Sequence, residues 1–208
     1  MLPPEVALSF FGIAILLALS PGPDNLFVLM QSAMWGRRAG LWVVLGLCTG
    51  LIGHSVAVAV GLAAVFSASA MAFTAVKLMG AAYLVYLAWG ALRAGATVDS
   101  GERPARQTAM QLYRRGIIMN LTNPKVSIFF LAFLPQFASP TRGPIGLQML
   151  LLGGLFIVAT LWVFGAIALF SGAIGERLKK SARAQIWLNR CAGVVFLGLA
   201  ARLLVTQR

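Results

Sequence analysis

The stretch Ser20-Pro21-Gly22-Pro23-Asp24-Asn25 interrupts a long apolar run that covers residues 6–30. Its two prolines remove two backbone donors, and their rings clash with carbonyls one turn earlier, so a straight helix cannot continue through them. A new half-helix is expected to start here, with Ser20 as its N-cap and Pro21 at its first position. The stretch therefore predicts a helix that is broken inside an apolar segment.

The composition of the chain indicates where such a segment lies. Of 208 residues, 60% are hydrophobic and 11% are charged, and the mean hydropathy is +0.87. Soluble proteins contain about 25% charged residues, so this chain has too few to coat a water-facing surface. Most of its surface is expected to face lipid. This excludes a soluble enzyme, and we predict that the protein is not an enzyme.

Six apolar segments are long enough to cross a bilayer, which takes about 20 residues. They cover residues 6–30, 40–66, 70–92, 116–138, 145–172 and 187–206. The one long connection, 93–115, is polar and rich in arginine. We predict an all-α integral membrane protein in which residues 1–208 form a single transporter domain of six transmembrane helices.

The cations of the loops predict the orientation of these helices. The first, third and fifth loops carry Arg37 and Arg38; Arg93, Arg103, Arg106, Arg114 and Arg115; and Arg177, Lys179, Lys180 and Arg183. The opposite face carries only Arg142 and Arg208. Lys and Arg mark cytoplasmic loops, so loop 93–115 is expected in the cytoplasm and both termini outside. Acidic lipid accounts for the net charge of +12, and no nucleic-acid partner is expected.

The two halves of the sequence, approximately 1–103 and 104–208, resemble each other. Asn123-Pro124 in the fourth segment corresponds to Ser20-Pro21 in the first, and Arg190–Leu197 aligns with Lys77–Leu84. Because each half has an odd number of spans, the second half would enter the membrane from the opposite side. This pattern predicts a 3+3 inverted-topology repeat, with the first and fourth helices broken at proline motifs, as in many secondary transporters.

Polar residues accompany both breaks. Asn123 is a suitable N-cap with Pro124 at the first helical position. Irregular backbone at membrane depth is tolerated only where it is buried in protein or lines a wet cavity. The breaks are therefore expected to face the bundle interior. The candidate break residues are Ser20, Pro21, Pro23 and Pro124, and the candidate substrate-binding residues are Gly22, Asp24, Asn25, Asn120, Asn123 and Lys125.

Asp24 beside one break and Lys125 beside the other give the predicted cavity one anion and one cation. With the positive ends of two half-helices, the cavity would complement a zwitterionic amino acid, its ammonium toward Asp24 and its carboxylate toward Lys125. The alternative is an ion pair between these two residues that only joins the two helices.

His54, inside the second segment, is the only histidine of the chain. It could relay a proton, or it could be a neutral residue hydrogen-bonded to a neighbouring helix. Asp24 is the better candidate for proton coupling, since a substrate ammonium and a proton would compete for the same carboxylate.

The two cysteines, Cys48 and Cys191, lie far apart with no CxxC or Cys/His spacing, so we expect no metal and no cofactor. Gly46-x-x-x-Gly50 permits close packing between two helices, and it leaves a homodimer possible.

Taken together, these motifs resemble the lysine-exporter (LysE) superfamily, and specifically its homoserine/threonine-resistance (RhtB) branch. The matching pieces span the chain in order: residues 20–25, 36–40, 77–84, 120–125 and 130–137. The resemblance implies a bacterial inner-membrane exporter of amino acids or close derivatives, such as homoserine, threonine, lysine or leucine. It also implies that proton antiport drives the export.

Two other functions occur on related folds. A membrane thiol electron carrier would place a reactive cysteine beside the breaks, whereas Cys48 and Cys191 are in other segments. An exporter of metal cations would bring carboxylates, thiols or imidazoles together, and Lys125 would oppose the cation.

Overall fold

The computed structural model describes residues 2–20, 22–68, 70–93, 107–171 and 182–205. Several positions named above lie outside the described residues. They are Pro21, most of the predicted cytoplasmic loop, the fifth-loop residues Arg177, Lys179 and Lys180, and Arg208. Within the described part the backbone is largely helical and contains no strand. The helices are α1 (Pro4–Leu19), α2 (Pro23–Trp35), α3 (Arg37–Ala68), α4 (Ala70–Arg93), α5 (Ala109–Leu121), α6 (Pro124–Ile128), α7 (Ile145–Leu169) and α8 (Ala182–Val205).

The first apolar segment forms two helices, as predicted, but its second half-helix starts later than expected. α2 begins at Pro23 with Gly22 as its N-cap, whereas Ser20 caps the C-terminus of α1. The predicted N-cap role of Ser20 was therefore wrong. Gly22 is fully extended (φ −171°, ψ 175°), the conformation that a following proline favours. A helix therefore cannot begin before Pro23.

The second break follows the prediction. Asn123 caps α6, its side chain accepting a hydrogen bond from the Lys125 amide, and Pro124 occupies the first helical position. α6 continues as a π-helical turn (Phe129–Phe133) and a 3-10 turn (Leu134–Phe137). The axis bends by 49° between α5 and this continuation. Proline and an N-cap with an amide side chain thus end one helix and start the next.

The length and hydropathy of the described helices support some of the predicted spans. Among the described residues, Arg37–Gly61 of α3 and all of α7 are individually long and apolar enough to cross a membrane. The pairs α1–α2 and α5–α6, the latter with its continuation, each qualify as one bent span, which gives up to four. α4 and α8 are 24 residues long but do not meet this criterion over their described parts.

The core of the bundle is aromatic and its outer surface is apolar. Phe10 of α1 packs against Phe129 and Phe137, and Phe156 of α7 packs against Phe129 and Phe130. Large apolar side chains also point outward, namely Leu8, Val60, Trp162, Phe170 and Val205, each more than 60% exposed. Such a surface requires a lipid environment.

Close packing of α3 on α5 brings the second break into the bundle. Cβ atoms added at Gly46 would collide with the backbone of Tyr113 and Gly116, and one added at Gly50 would lie 2.7 Å from Asn120. The small residues thus serve a contact within the chain. The Gly46-x-x-x-Gly50 motif therefore gives no support to a homodimer.

Replacing Gly50 with alanine should destabilise the protein and displace Asn120. The new methyl group has no space, and overpacking of this kind costs about 1–3 kcal/mol. Gly61→Ala, on the same helix with nothing within 4 Å of the added Cβ, is the matched control and should leave stability unchanged or slightly raised. Thermal unfolding in detergent measures both variants. Equal unfolding midpoints would contradict the proposed close contact.

Candidate functional site

The two breaks are joined by reciprocal hydrogen bonds. The Asn123 amide nitrogen donates to Asp24 Oδ2 at 2.9 Å. Lys125 Nζ donates to the Ser20 carbonyl at 2.9 Å and to Ser20 Oγ at 2.7 Å. All four side chains are buried. Each broken helix thus supplies the partners for the charged residue of the other.

Asp24 and Lys125 do not form the direct ion pair that was the alternative interpretation. Asp24 Oδ2 accepts a hydrogen bond from Asn123, the Asn120 side chain also interacts with the carboxylate, and Asp24 Oδ1 is buried without a hydrogen-bond partner. The two charges attract each other without contact. Because the carboxylate keeps one oxygen free, it can accept a hydrogen bond from a ligand.

The two half-helix N-termini differ in what they can offer to a ligand. At α6, the Asn123 side chain and carbonyl accept from the amides of Lys125, Val126 and Ser127. α2 has no side-chain cap. A Cβ added at Gly22 would lie 3.6 Å from Lys125 Nζ, so the lysine ammonium lies beside the start of α2. A carboxylate would therefore be bound better at α2 than at α6.

Asn25 has a partner of its own. Its amide nitrogen donates to the Ala18 carbonyl at 2.6 Å, which satisfies an acceptor of α1 near the break. The bond ties the first turn of α2 to the last turn of α1. Asn25 therefore contributes to the shape of the break.

All six predicted substrate-binding residues line one cavity. Its volume is about 20 Å³, which is room for roughly one water molecule. The wall is completed by residues of α1, α6 and α7: Leu17, Ala18, Val126, Phe156, Thr160 and Phe164. The sequence therefore predicted residues that the fold brings together. In this conformation the space between them is too small for an amino acid.

His54 lies next to the cavity rather than in its wall. Its Nε2 is 3.2 Å from the Asn120 carbonyl, and its ring centroid is 5.5 Å from that of Phe130. Since a carbonyl only accepts, Nε2 carries the hydrogen and donates it. This is the arrangement of the second interpretation, a histidine bonded to a neighbouring helix, and proton relay by His54 stays a prediction.

Sequence reasoning missed Thr160, a buried residue of α7 that lines the cavity. One weak signal was available, because Thr160 carries the only hydroxyl group of the largely apolar α7. The cysteines are elsewhere: Cys48 is buried in α3 and Cys191 is exposed on α8. Across the described ranges, no group of three His, Cys, Asp or Glu side chains is placed to hold a metal ion.

The family model described as LysE type translocator matches residues 15–207, a range that includes both breaks. The chain belongs to this family. As a LysE family member with apolar, outward-facing helices, it is a membrane protein. The expectation drawn from its proline motifs is thereby confirmed at the level of the family.

Relatives in the LysE family match nearly the whole chain. The homoserine/homoserine lactone efflux protein of Salmonella typhimurium is 36% identical over 193 residues, covering 93% of this chain and 92% of the relative. The leucine efflux protein of Salmonella choleraesuis is 32% identical over 205 residues, covering 93% and 92%. An uncharacterized membrane protein of Vibrio cholerae is 33% identical over 195 residues, covering 93% and 94%. No solved structure matches the chain.

Proposed function

We propose that the protein is a secondary active transporter that exports amino acids or close derivatives across the bacterial inner membrane. One observation carries the proposal: a buried acid and a buried base, Asp24 and Lys125, lie at two broken helices and line one cavity between them. Ionisable side chains inside a membrane cost about 2.5–3.5 kcal/mol each on insertion scales. They are expected where a polar substrate passes.

The amino group is the part of the substrate that the site recognises first. Homoserine, homoserine lactone and leucine, named for the relatives, all carry a primary amine, whereas the lactone has no free carboxylate. Asp24 binds this ammonium. Lys125 and the N-terminus of α2 bind the carboxylate when one is present. We therefore expect the substrate class to include homoserine-, threonine- and leucine-like compounds, and lysine within the wider family range.

The proposed architecture is six spans in a 3+3 inverted repeat, with both termini outside. α4 and α8, at 24 residues each, would extend about 36 Å, enough to cross a bilayer. Equivalent elements of the two halves pack together, α3 with α7 and α4 with α8. In the proposed repeat α1 is equivalent to α5, and α3 is equivalent to α7. Accordingly, α1 packs against α7 and α5 packs against α3. These pairings support the repeat.

Transport requires the two breaks to separate. A cavity of about 20 Å³ is too small for an amino acid, so the bonds of Lys125 to Ser20 and of Asn123 to Asp24 must open to admit one. Asp24 would then bind either the substrate ammonium or a proton, which couples export to the proton gradient. His54, one hydrogen bond away from Asn120, is the second candidate for the proton path.

No observation favours the other two functions. Neither cysteine lines the cavity, which a thiol electron carrier would need. A metal cation would meet Lys125 in the same wall. The proposed site binds and releases its substrate without changing it chemically.

Counterflow into proteoliposomes tests the proposed function. Vesicles loaded with unlabelled homoserine, homoserine lactone, threonine, lysine or leucine should accumulate the labelled compound. Protein-free vesicles should not. A pH gradient of the correct sign should drive net movement. Failure of the whole panel would contradict amino-acid export. Net movement that does not respond to the pH gradient would contradict proton coupling.

A further inference from the structure

Thr160 differs from other hydroxyl residues of the described helices. Ser32, Ser55 and Thr122 each donate to the carbonyl four residues earlier, at 2.7, 2.7 and 2.8 Å. Thr160 is only 2% exposed, and its Oγ1 has no hydrogen-bond partner. A buried hydroxyl in an apolar helix normally satisfies itself on its own backbone. Thr160 does not, and it lines the central cavity.

Two more buried oxygens in the same wall are also without a partner. They are Oδ1 of Asp24, which is 5% exposed, and Oδ1 of Asn120, which is 2% exposed. Asp24, Asn120 and Thr160 come from three different helices, α2, α5 and α7. Buried polar groups are almost always hydrogen-bonded, so these oxygens are candidates for contact with a bound molecule or ion. The cavity wall therefore carries three free oxygens, one of them charged.

The chemistry of these oxygens selects the ligand. A carboxylate oxygen accepts only, and a hydroxyl oxygen can accept while donating elsewhere. The Asp24 carboxylate and the Asn120 amide oxygen can be satisfied only by a donor, the Thr160 hydroxyl can accept a further hydrogen, and the negative charge favours a cation. A primary ammonium has three N–H donors and one positive charge.

We propose that Thr160 Oγ1 and Asp24 Oδ1 together form the ammonium subsite of the transporter, with Thr160 as a determinant of specificity for primary amines. This rests on the proposed function. Asp24 supplies the charge, and Thr160 supplies the second acceptor from α7. Binding the amine thereby connects α7 to the broken helix α1–α2. A carboxylate or a substrate hydroxyl is bound elsewhere in the cavity.

The matched pair Thr160→Val and Thr160→Ser tests the subsite. Valine keeps the shape and removes the hydroxyl, whereas serine keeps the hydroxyl. We expect Thr160→Val to raise the KM for counterflow about tenfold, as loss of a hydrogen bond to a charged group does. Thr160→Ser should stay close to the wild-type KM. Both variants should elute as the wild-type protein does on size exclusion.

The choice of substrates identifies the group that Thr160 binds. Homoserine, homoserine lactone and leucine share the amine, so Thr160→Val should raise all three KM values by similar factors. A defect confined to homoserine would assign Thr160 to the substrate hydroxyl and overturn the proposal. A defect that spares the lactone would assign it to the carboxylate, with the same consequence.

Two further outcomes separate this inference from the proposed function. Wild-type transport with unchanged KM in Thr160→Val would overturn the subsite and leave amino-acid export standing. No transport by the wild-type protein would instead refute the proposed function. Sodium could also bind two oxygens, so the assay is repeated with choline in place of sodium. A Thr160→Val defect that disappears without sodium would assign the oxygens to a coupling ion and overturn the proposal.

Discussion

Asp24→Asn should reduce amino-acid transport by at least about tenfold while the protein remains folded. Asparagine has the same shape and can still accept the hydrogen bond from Asn123, which holds Asp24 Oδ2 at 2.9 Å. The negative charge is lost, and an NH2 donor replaces one of the two acceptor oxygens. A hydrogen bond to a charged group contributes about 1.5–3 kcal/mol, so the rate at low substrate concentration should fall about ten- to a hundredfold or more. Counterflow with labelled homoserine or leucine measures this rate.

Stability separates a functional from a structural role for Asp24. Asp24→Asn removes a carboxylate that is costly to bury, but it leaves Lys125 without its countercharge. Because Lys125 keeps its bonds to Ser20, Asp24→Asn should lower the unfolding temperature far less than Lys125→Met does. Asp24→Glu keeps the charge on a longer side chain and should retain part of the activity. Transport at the wild-type rate by Asp24→Asn would contradict the proposed site. If the unfolding temperature also fell, the role of Asp24 would be structural.

Lys125→Met should have the second largest effect, and it should reduce both stability and transport. Methionine fills a similar volume, but it loses the bonds to the Ser20 carbonyl and hydroxyl and leaves Asp24 as an uncompensated buried charge. Removing one partner of a buried charge pair costs about 3–5 kcal/mol. Thermal unfolding in detergent measures the loss of stability, and counterflow measures transport.

Ser20→Ala is the control for Lys125, because it removes one acceptor and leaves both charges and the Ser20 carbonyl in place. It should cost far less stability than Lys125→Met. In the double variant Asp24→Asn/Lys125→Met the charges are removed together, so stability should return while transport stays absent. Additive losses of stability in the double variant would show that the two charges are not coupled.

The sequence predicted the second break more accurately than the first. Asn123 and Pro124 form the expected start of a half-helix, because an N-cap amide and a first-position proline act locally. In the first break, the sequence offers two prolines as the first residue of the half-helix. Pro23 takes this position, because it restricts Gly22 to an extended conformation.

Residues brought together from distant helices were harder to predict. Asp24 and Lys125 were paired because each stands beside a proline motif, and both line the cavity. Their actual partners, Asn123 and Ser20, depend on how the two breaks face each other. Thr160 was missed because a single hydroxyl group in a largely apolar helix is a weak signal in the sequence. In the structure, its place in the cavity wall and its missing hydrogen bond distinguish it.

Binding of a labelled amino acid to the purified protein tests the central claim, that the cavity between the two breaks is the substrate site. Scintillation proximity with immobilised protein measures this binding without any transport step. We predict saturable binding by the wild-type protein, with about one site per chain, and loss of that binding in Asp24→Asn, which remains folded. Equal binding by wild-type and Asp24→Asn protein would contradict the account.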